Sequence, residues 1–342
     1  MNGIDPIKCA VVGLGYWGPN LLRNIASSPA TELVALCDSR IERCKKFGKL
    51  YNVPLLTADI EEVLRSPNVD AVFIATPVST HYSLALAALL AGKHVFVEKP
   101  LAVEVAQAEH LVQEADRRGL RLMVDHVFVY NPAVLKIREL VKDKVIGEAL
   151  YYDSVRVNLG LFQHDVNVIW DLIVHDLSII DFIFDERPTS VLTHARAHVK
   201  GQPENMAYMT CMFDSAFIAH FHVNWLAPVK VRRTLVGGTR RMIVYDDLEP
   251  DEKIKIYDRG IDITHPEPDN VGQQLGYRLG DMSSPMLSRV EALTSAVEHF
   301  AECIRTNTTP ITDGHCGLRI VRLLDAATRS ARLGGHAVPV QV

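Results

Sequence analysis

Residues 95–100 read VFVEKP, an apolar run that stops on a carboxylate, an ammonium and a proline. A strand running through a core keeps charges out of hydrocarbon, so Glu98 and Lys99 at its tip must face something else. An ammonium there can hydrogen-bond an oxygen on which negative charge grows during a reaction. Residues 170–184 read WDLIVHDLSIIDFIF, with helical apolar spacing. Asp171 and His175 stand four apart and share a helix face. Imidazole titrates near neutrality, and a carboxylate beside it fixes its tautomer and stabilises the imidazolium, which is the equipment of a general base. The same two residues also read as an ordinary surface pair at a helix end. Lys99, Asp171 and His175 are the catalytic candidates, and all three are also candidate substrate contacts.

A second constellation concerns a nucleotide. VVGLGYWG at 11–18 is a GxGxxG that follows an apolar strand and opens a helix, and Asp38 answers it at the tip of the second strand. Gly13 permits the tight turn, Gly15 lets a pyrophosphate approach the backbone, and Gly18 lets helix pack on strand. Tyr16 and Trp17 lie inside this turn. A carboxylate at Asp38 accepts hydrogen bonds from ribose hydroxyls and repels a 2′-phosphate, which favours NAD over NADP; Arg40 and Arg43 keep the phosphorylated cofactor open. The alternative is a glycine turn with a solvated aspartate. Ligands of doubly wound sheets sit beyond the carboxyl ends of the strands. The tips ATPVSTH (75–81) and VEKP should therefore flank the nicotinamide half, with Thr76, Pro77, His81, Glu98 and Lys99 as cofactor contacts.

These residues need elements to hold them. Through about His126, short strands that are apolar on both faces alternate with helical patterns starting near Pro19, Arg40, Thr80 and Val103. That predicts a doubly wound parallel sheet, an α/β Rossmann domain over residues 1–126. Beyond it, a helix near 132–142 leads into YYDSVRVNL, a helical stretch spans about 166–184, and several strands follow without helices between them. Residues 127–342 are therefore expected as an α+β domain with a largely antiparallel sheet. Residues 249–284, rich in Pro, Asp and Gly, read as loops around one short strand. Two helices, near 287–306 and 317–333, close the second domain.

The glycine turn, Asp38, EKP after the fifth strand and a DxxxH helix together resemble the family of glucose-fructose oxidoreductase, inositol 2-dehydrogenase and the MocA proteins, over essentially the whole chain. The resemblance implies NAD(P)-dependent oxidation of a sugar or cyclitol hydroxyl, with Lys99 and His175 as the catalytic pair and Asp171 as helper. It implies that the second domain's sheet is open-faced and forms a homodimer or homotetramer, and it allows a cis bond before Pro100. Where many relatives carry glycines around the DxxxH aspartate, this chain has Asn167, Val168, Ile169, Trp170 and Ile173, so a differently shaped substrate pocket is expected. The stretches GLGYWGPNLLRN, DSVRVNLGLFQHDVNVIWDL and NWLAPVKVRR further resemble a branch found with nucleotide-sugar pathways, including dehydrogenases that oxidise the 3-hydroxyl of a UDP-linked N-acetylhexosamine. Arg156 and Asn158 alternate on one strand face, as do Lys230 and Arg232 on another. Each pair is positioned to meet a common ligand such as a diphosphate, and Arg156, Asn158 and Lys230 join the substrate candidates. A solvated edge is the competing reading for Lys230, Arg232 and Arg233.

Composition narrows the alternatives. The 342 residues carry a net charge of −5 with acids and bases interspersed, which gives no nucleic-acid or polybasic membrane signature. No apolar stretch is long enough to span a membrane, and the start of the chain runs directly into a strand, so a cytoplasmic protein with a small-molecule sugar or nucleotide-sugar partner is expected. The six cysteines (9, 37, 44, 211, 303 and 316) show no CxxC. His194 and His198 fall on a strand, far apart, and His220, His222 and Asn224 make an ordinary polar strand face, so no metal site is expected. Two rivals remain: a keto-sugar reductase running the same chemistry backwards, and a sensor that binds dinucleotide and sugar without turnover. A base beside an ammonium argues against the sensor.

Overall fold

The computed structural model describes residues 5–160, 166–264 and 274–341. The chain forms two compact units, Met1–Asn131 with Val290–Asp325 and Pro132–Arg289 with Ala326–Val342. In the first, strands β1 (Ile7–Val12), β2 (Thr31–Cys37), β3 (Leu55–Thr57), β4 (Ala71–Ile74), β5 (His94–Glu98) and β6 (Leu122–Asp125) alternate with helices α1 (Gly18–Ser27), α2 (Ile41–Tyr51), α3 (Ile60–Arg65), α4 (His81–Leu90) and α5 (Val105–Arg118). The strands form one parallel sheet in the order β3-β2-β1-β4-β5-β6. Val72, Phe73, Val95, Phe96 and Val97 are all buried, as expected for a sheet covered on both faces. Local signals set the helix ends: Asp59 accepts from the Glu61 N–H at the start of α3, and Gly119 takes a left-handed φ of 66° just past α5.

The second unit contains α6 (Pro132–Lys142), β7 (Ala149–Leu159), a π-helical turn at Ile169–Ile173 that runs into α7 (Val174–Ile183), β8 (Ser190–Arg196), β9 (Met206–Met212), β10 (Ile218–Asn224), β11 (Leu226–Gly238), β12 (Met242–Asp246), β13 (Ile254–Thr264) and β14 (Gln274–Ser283). With β15 (Val338–Pro339) they make a nine-stranded sheet in the order β14-β13-β12-β11-β7-β10-β9-β8-β15. Every neighbouring pair is antiparallel except β7 with β10. The 249–284 stretch departs from the expectation of loops around one short strand, because β13 and β14 pair as neighbours. Gly260, Gly276 and Gly280 are strand glycines, and a Cβ at Gly280 would meet the Asp258 carbonyl oxygen at 2.3 Å, so Gly280 marks close backbone approach rather than a turn. Ile254 and Ile256 bury one face of β13.

The closing helices α8 (Ala292–Thr306) and α9 (Gly314–Arg332) were expected in the second domain, yet α8 and the start of α9 belong to the first unit. Phe300 of α8 explains this. It meets Phe73 of β4 and Phe96 of β5 edge-on, with ring centroids 5.5 and 5.6 Å away, while those two rings stack at 4.8 Å. Such pairs add about 0.5–1.5 kcal/mol each beyond the area they bury. Ahead of α9, Thr312 accepts from the Val124 N–H at 2.8 Å and its hydroxyl donates to the Val124 carbonyl at 2.7 Å. No helix among the described residues is long and apolar enough to cross a membrane.

Candidate active site

The chemistry-bearing residues of the first unit gather at the carboxyl ends of its strands. Gly13 follows β1 with φ +91°, and a Cβ there would meet the Ala75 carbonyl oxygen at 2.6 Å. The glycine turn and the β4 tip therefore touch where the strand order reverses. A Cβ at Gly18 would lie 2.0 Å from the Gly13 oxygen, whereas one at Gly15 would meet nothing within 4 Å, so the turn is closed beneath and open above. Helix α1 begins with no side-chain cap. Pro19 carries no N–H and the Asn20 N–H donates to the Trp17 carbonyl at 2.8 Å, so the Gly18 N–H and the positive end of the dipole are what this helix start offers an anion, and the residues present fit a dinucleotide pyrophosphate. Asp38, one residue past β2, is buried; its Oδ2 accepts from the Leu14 N–H at 2.7 Å and from Arg43 Nη1 at 3.3 Å, and its Oδ1 from the Arg40 N–H at 2.9 Å. It staples the glycine turn to the β2 tip. Tyr16 is exposed within that turn.

At the end of β5, Glu98 lies in register with Asp125 at the end of β6, and the Lys99–Pro100 bond is cis. The Trp17 indole donates to Asp125 Oδ2 at 3.2 Å. Burial, then the Asp125 carboxyl, push Glu98 well above the usual carboxylate range, with Lys99 pulling it down. Burial likewise raises Asp125, opposed by hydrogen bonds from Glu98 and Trp17 and by the Lys99 charge. His81, expected at the cofactor, is sealed at 1% exposure with its ring nitrogens 2.9 Å from the Pro100 and Thr76 carbonyl oxygens. It ties the cis-proline segment to the β4 tip, while Thr76 accepts from the Thr80 hydroxyl at 2.7 Å and Pro77 stays exposed.

In the second unit, Asp171 lies in the π-helical turn and His175 in the first turn of α7, both half-buried. The sequence pattern predicts one regular helix here; the wider turn is a departure of a kind frequent at functional sites. The buried Trp225 donates its indole N–H to Asp171 Oδ2 at 3.1 Å and so fixes the carboxylate. Asp176, next to His175, points into the core, where it accepts from Arg156 Nε and Nη2 at 2.9 and 3.2 Å and from the Ser154 hydroxyl at 2.8 Å. Arg156, expected at the substrate, is thus 5% exposed and bridges sheet to helix instead. The Asp176 charge raises Arg156 above its ordinary value against the cost of burial. Asn158 is half-buried two residues on, and Lys230 is exposed where the register of β11 shifts between Leu226 and Val231. Arg232 pairs with Asp247 at 3.3 Å. Among the described residues no group of three or more His, Cys, Asp or Glu could hold a metal.

Sequence reasoning missed Asp125, Asp176 and Trp225. Asp125 ends a strand as Asp38 follows one, and Asp176 interrupts an apolar helix beside His175; those were the available signals.

A parallel dinucleotide-binding sheet joined in one chain to a mixed-sheet α+β unit defines the class of two-domain nicotinamide-dependent oxidoreductases. Residues 7–126 match the model of an oxidoreductase family with an NAD-binding Rossmann fold, and residues 134–244 match the GFO/IDH/MocA C-terminal domain. The chain belongs to the GFO/IDH/MocA family. It is 26% identical over 350 residues to scyllo-inositol 2-dehydrogenase (NAD(+)) of Bacillus subtilis, covering 98% of this chain and 96% of that one. It is also 26% identical over 321 residues to UDP-N-acetylglucosamine 3-dehydrogenase of Acidithiobacillus ferrooxidans, covering 92% and 94%. A solved structure of the Acidithiobacillus ferrooxidans enzyme superposes with a TM-score of 0.82 at 23% identity, over 96% of this chain and 99% of that chain.

Proposed function

We propose that this dehydrogenase oxidises a secondary hydroxyl of a nucleotide-linked sugar, with C3 of a UDP-N-acetylhexosamine as the foremost candidate, and uses NAD in preference to NADP. The observation that carries the reading is the grouping of the glycine turn, Asp38 and Lys99 at one edge of the parallel sheet. Gly13, Gly15 and the uncapped start of α1 would hold the pyrophosphate, Asp38 the ribose hydroxyls, and Thr76, Pro77 and Glu98 the nicotinamide end. When bound, NAD supplies a hydride acceptor.

The chain's own residues supply the proton chemistry. His175 takes the hydroxyl proton as the C–H bond breaks, and Asp171, held by Trp225, orients the ring. Lys99 donates a hydrogen bond to the same oxygen and stabilises its growing negative charge. Asn158 and the exposed Lys230 are the candidate diphosphate or sugar contacts. A homo-oligomer through the nine-stranded sheet is part of the proposal, supported by exposed Tyr208, Met212 and Ile218 on β9 and β10. An inositol or free-sugar dehydrogenase is the second reading, favoured by the Bacillus subtilis relative at equal identity.

A panel of free sugars, inositols and UDP- or TDP-linked sugars, followed by NADH absorbance in both directions, separates these. The expected result is reduction of NAD by a nucleotide sugar. Turnover confined to free polyols would replace the substrate, and no turnover either way would overturn the dehydrogenase reading.

A further inference from the structure

Directly behind Lys99, at the ends of two neighbouring parallel strands, two acids occupy one buried place. Glu98 and Asp125 are register partners, and Asp125 is 1% exposed. Glu98 Oε1 and Asp125 Oδ1 are sealed from solvent, and neither accepts a hydrogen bond from an N–H or hydroxyl donor among the described residues. Two ionised carboxylates cannot share such a place, because burial and mutual repulsion both oppose it. The neighbouring Lys99 charge lowers the proton affinity of both acids and so favours one ionised member of the pair. The Trp17 indole is a donor only, so Asp125 Oδ2 must accept from it. A donated bond is stronger to a carboxylate than to a neutral acid, so it favours the carboxylate on Asp125 and the proton on Glu98, whose O–H then donates to its partner.

We infer that Glu98 and Asp125 work as one positioning unit, a carboxyl pair holding a single shared proton, whose net single negative charge holds the Lys99 ammonium at the strand ends. Through Trp17 the pair also reaches the glycine turn, so the cofactor seat and the ammonium rest on one support. The pair acts through Lys99 and does not touch the reacting atoms. Its effect on turnover rests on the dehydrogenase reading above; its proton does not.

The test compares Glu98→Gln, Asp125→Asn and the double variant with the full chain. Infrared spectra of the wild type at neutral pH are expected to contain a carboxylic-acid C=O band that disappears in Glu98→Gln, which removes the protonated member, and shifts in Asp125→Asn, where the Glu98 O–H loses its carboxylate acceptor. Absence of the band in the wild type, its survival in Glu98→Gln, or an unshifted band in Asp125→Asn overturns the pair. In turnover, each single variant should cost kcat less than about tenfold and the double more than about a hundredfold. A double variant as active as the singles overturns the role toward Lys99. If the wild type has the band but no substrate turns over, the pair stands and the dehydrogenase reading fails; if substrate turns over but the band is missing, the dehydrogenase reading stands and the pair fails.

Discussion

Beneath His175, a buried carboxylate meets a guanidinium; behind Lys99, a buried carboxyl meets another carboxyl. Asp176 is balanced by Arg156 and by the Ser154 hydroxyl, all bonds donated to a fixed charge. Glu98 and Asp125 carry raised proton affinities and have Trp17 and the neighbouring Lys99 charge for company. The contrast separates two uses of buried acid. An ion pair fixes geometry and is costly to break, so it suits the task of anchoring α7 to its sheet. A pair of acids sharing a proton offers one charge whose position can adjust, which suits the support we propose for the Lys99 ammonium.

The comparison can be broken at several points. The largest effect is expected at Lys99 itself: Lys99→Ala should lower kcat by about a thousandfold while NAD binding, measured by fluorescence, is kept. Next comes Arg156→Met, which strands the Asp176 charge and should cost about 3–5 kcal/mol in urea unfolding; replacing both partners by apolar residues should recover most of it. Equal losses in the single and double variants would mean that the pair does not act as a compensated unit. Asp38→Ala should narrow the preference for NAD over NADP by about tenfold, read from kcat/KM with each cofactor.

The smallest effect follows from the raised Glu98. Unfolded glutamate ionises near pH ~4.3, while the folded group keeps its proton well above that. Its stabilising contribution is full below the unfolded value and is lost as pH rises toward the folded one. Glu98→Gln escapes this loss. The variant and wild type should keep a constant difference in Tm below about pH 4, and the variant should gain steadily as pH rises from there towards neutrality.

Most of the first unit was legible because strands buried on both faces and helices with one apolar face leave different periods in a sequence. The glycine turn was legible for a steric reason, since Gly13 and Gly18 stand where a Cβ has no room. Lys99 and His175 stood out as polar groups in apolar segments. The same criterion misjudged Arg156, because alternation along β7 reports which face a residue takes and not whether that face is covered by α7. It also hid Asp125 and Asp176, whose roles depend on partners about 27 and 20 residues away, a pairing that register creates and spacing alone does not reveal. In β14, Gly280 resembles a turn residue in the sequence although close approach to the Asp258 carbonyl demands a glycine there.

The central claim is that Lys99 and His175 serve a single proton-and-hydride reaction. Its most direct test measures NADH formation from a UDP-N-acetylhexosamine by the wild type, Lys99→Ala, His175→Ala and the double variant. Residues acting as a unit predict a double variant no slower than the slower single one. Independent multiplication of the two losses, or a single variant turning over at the wild-type rate, would contradict it.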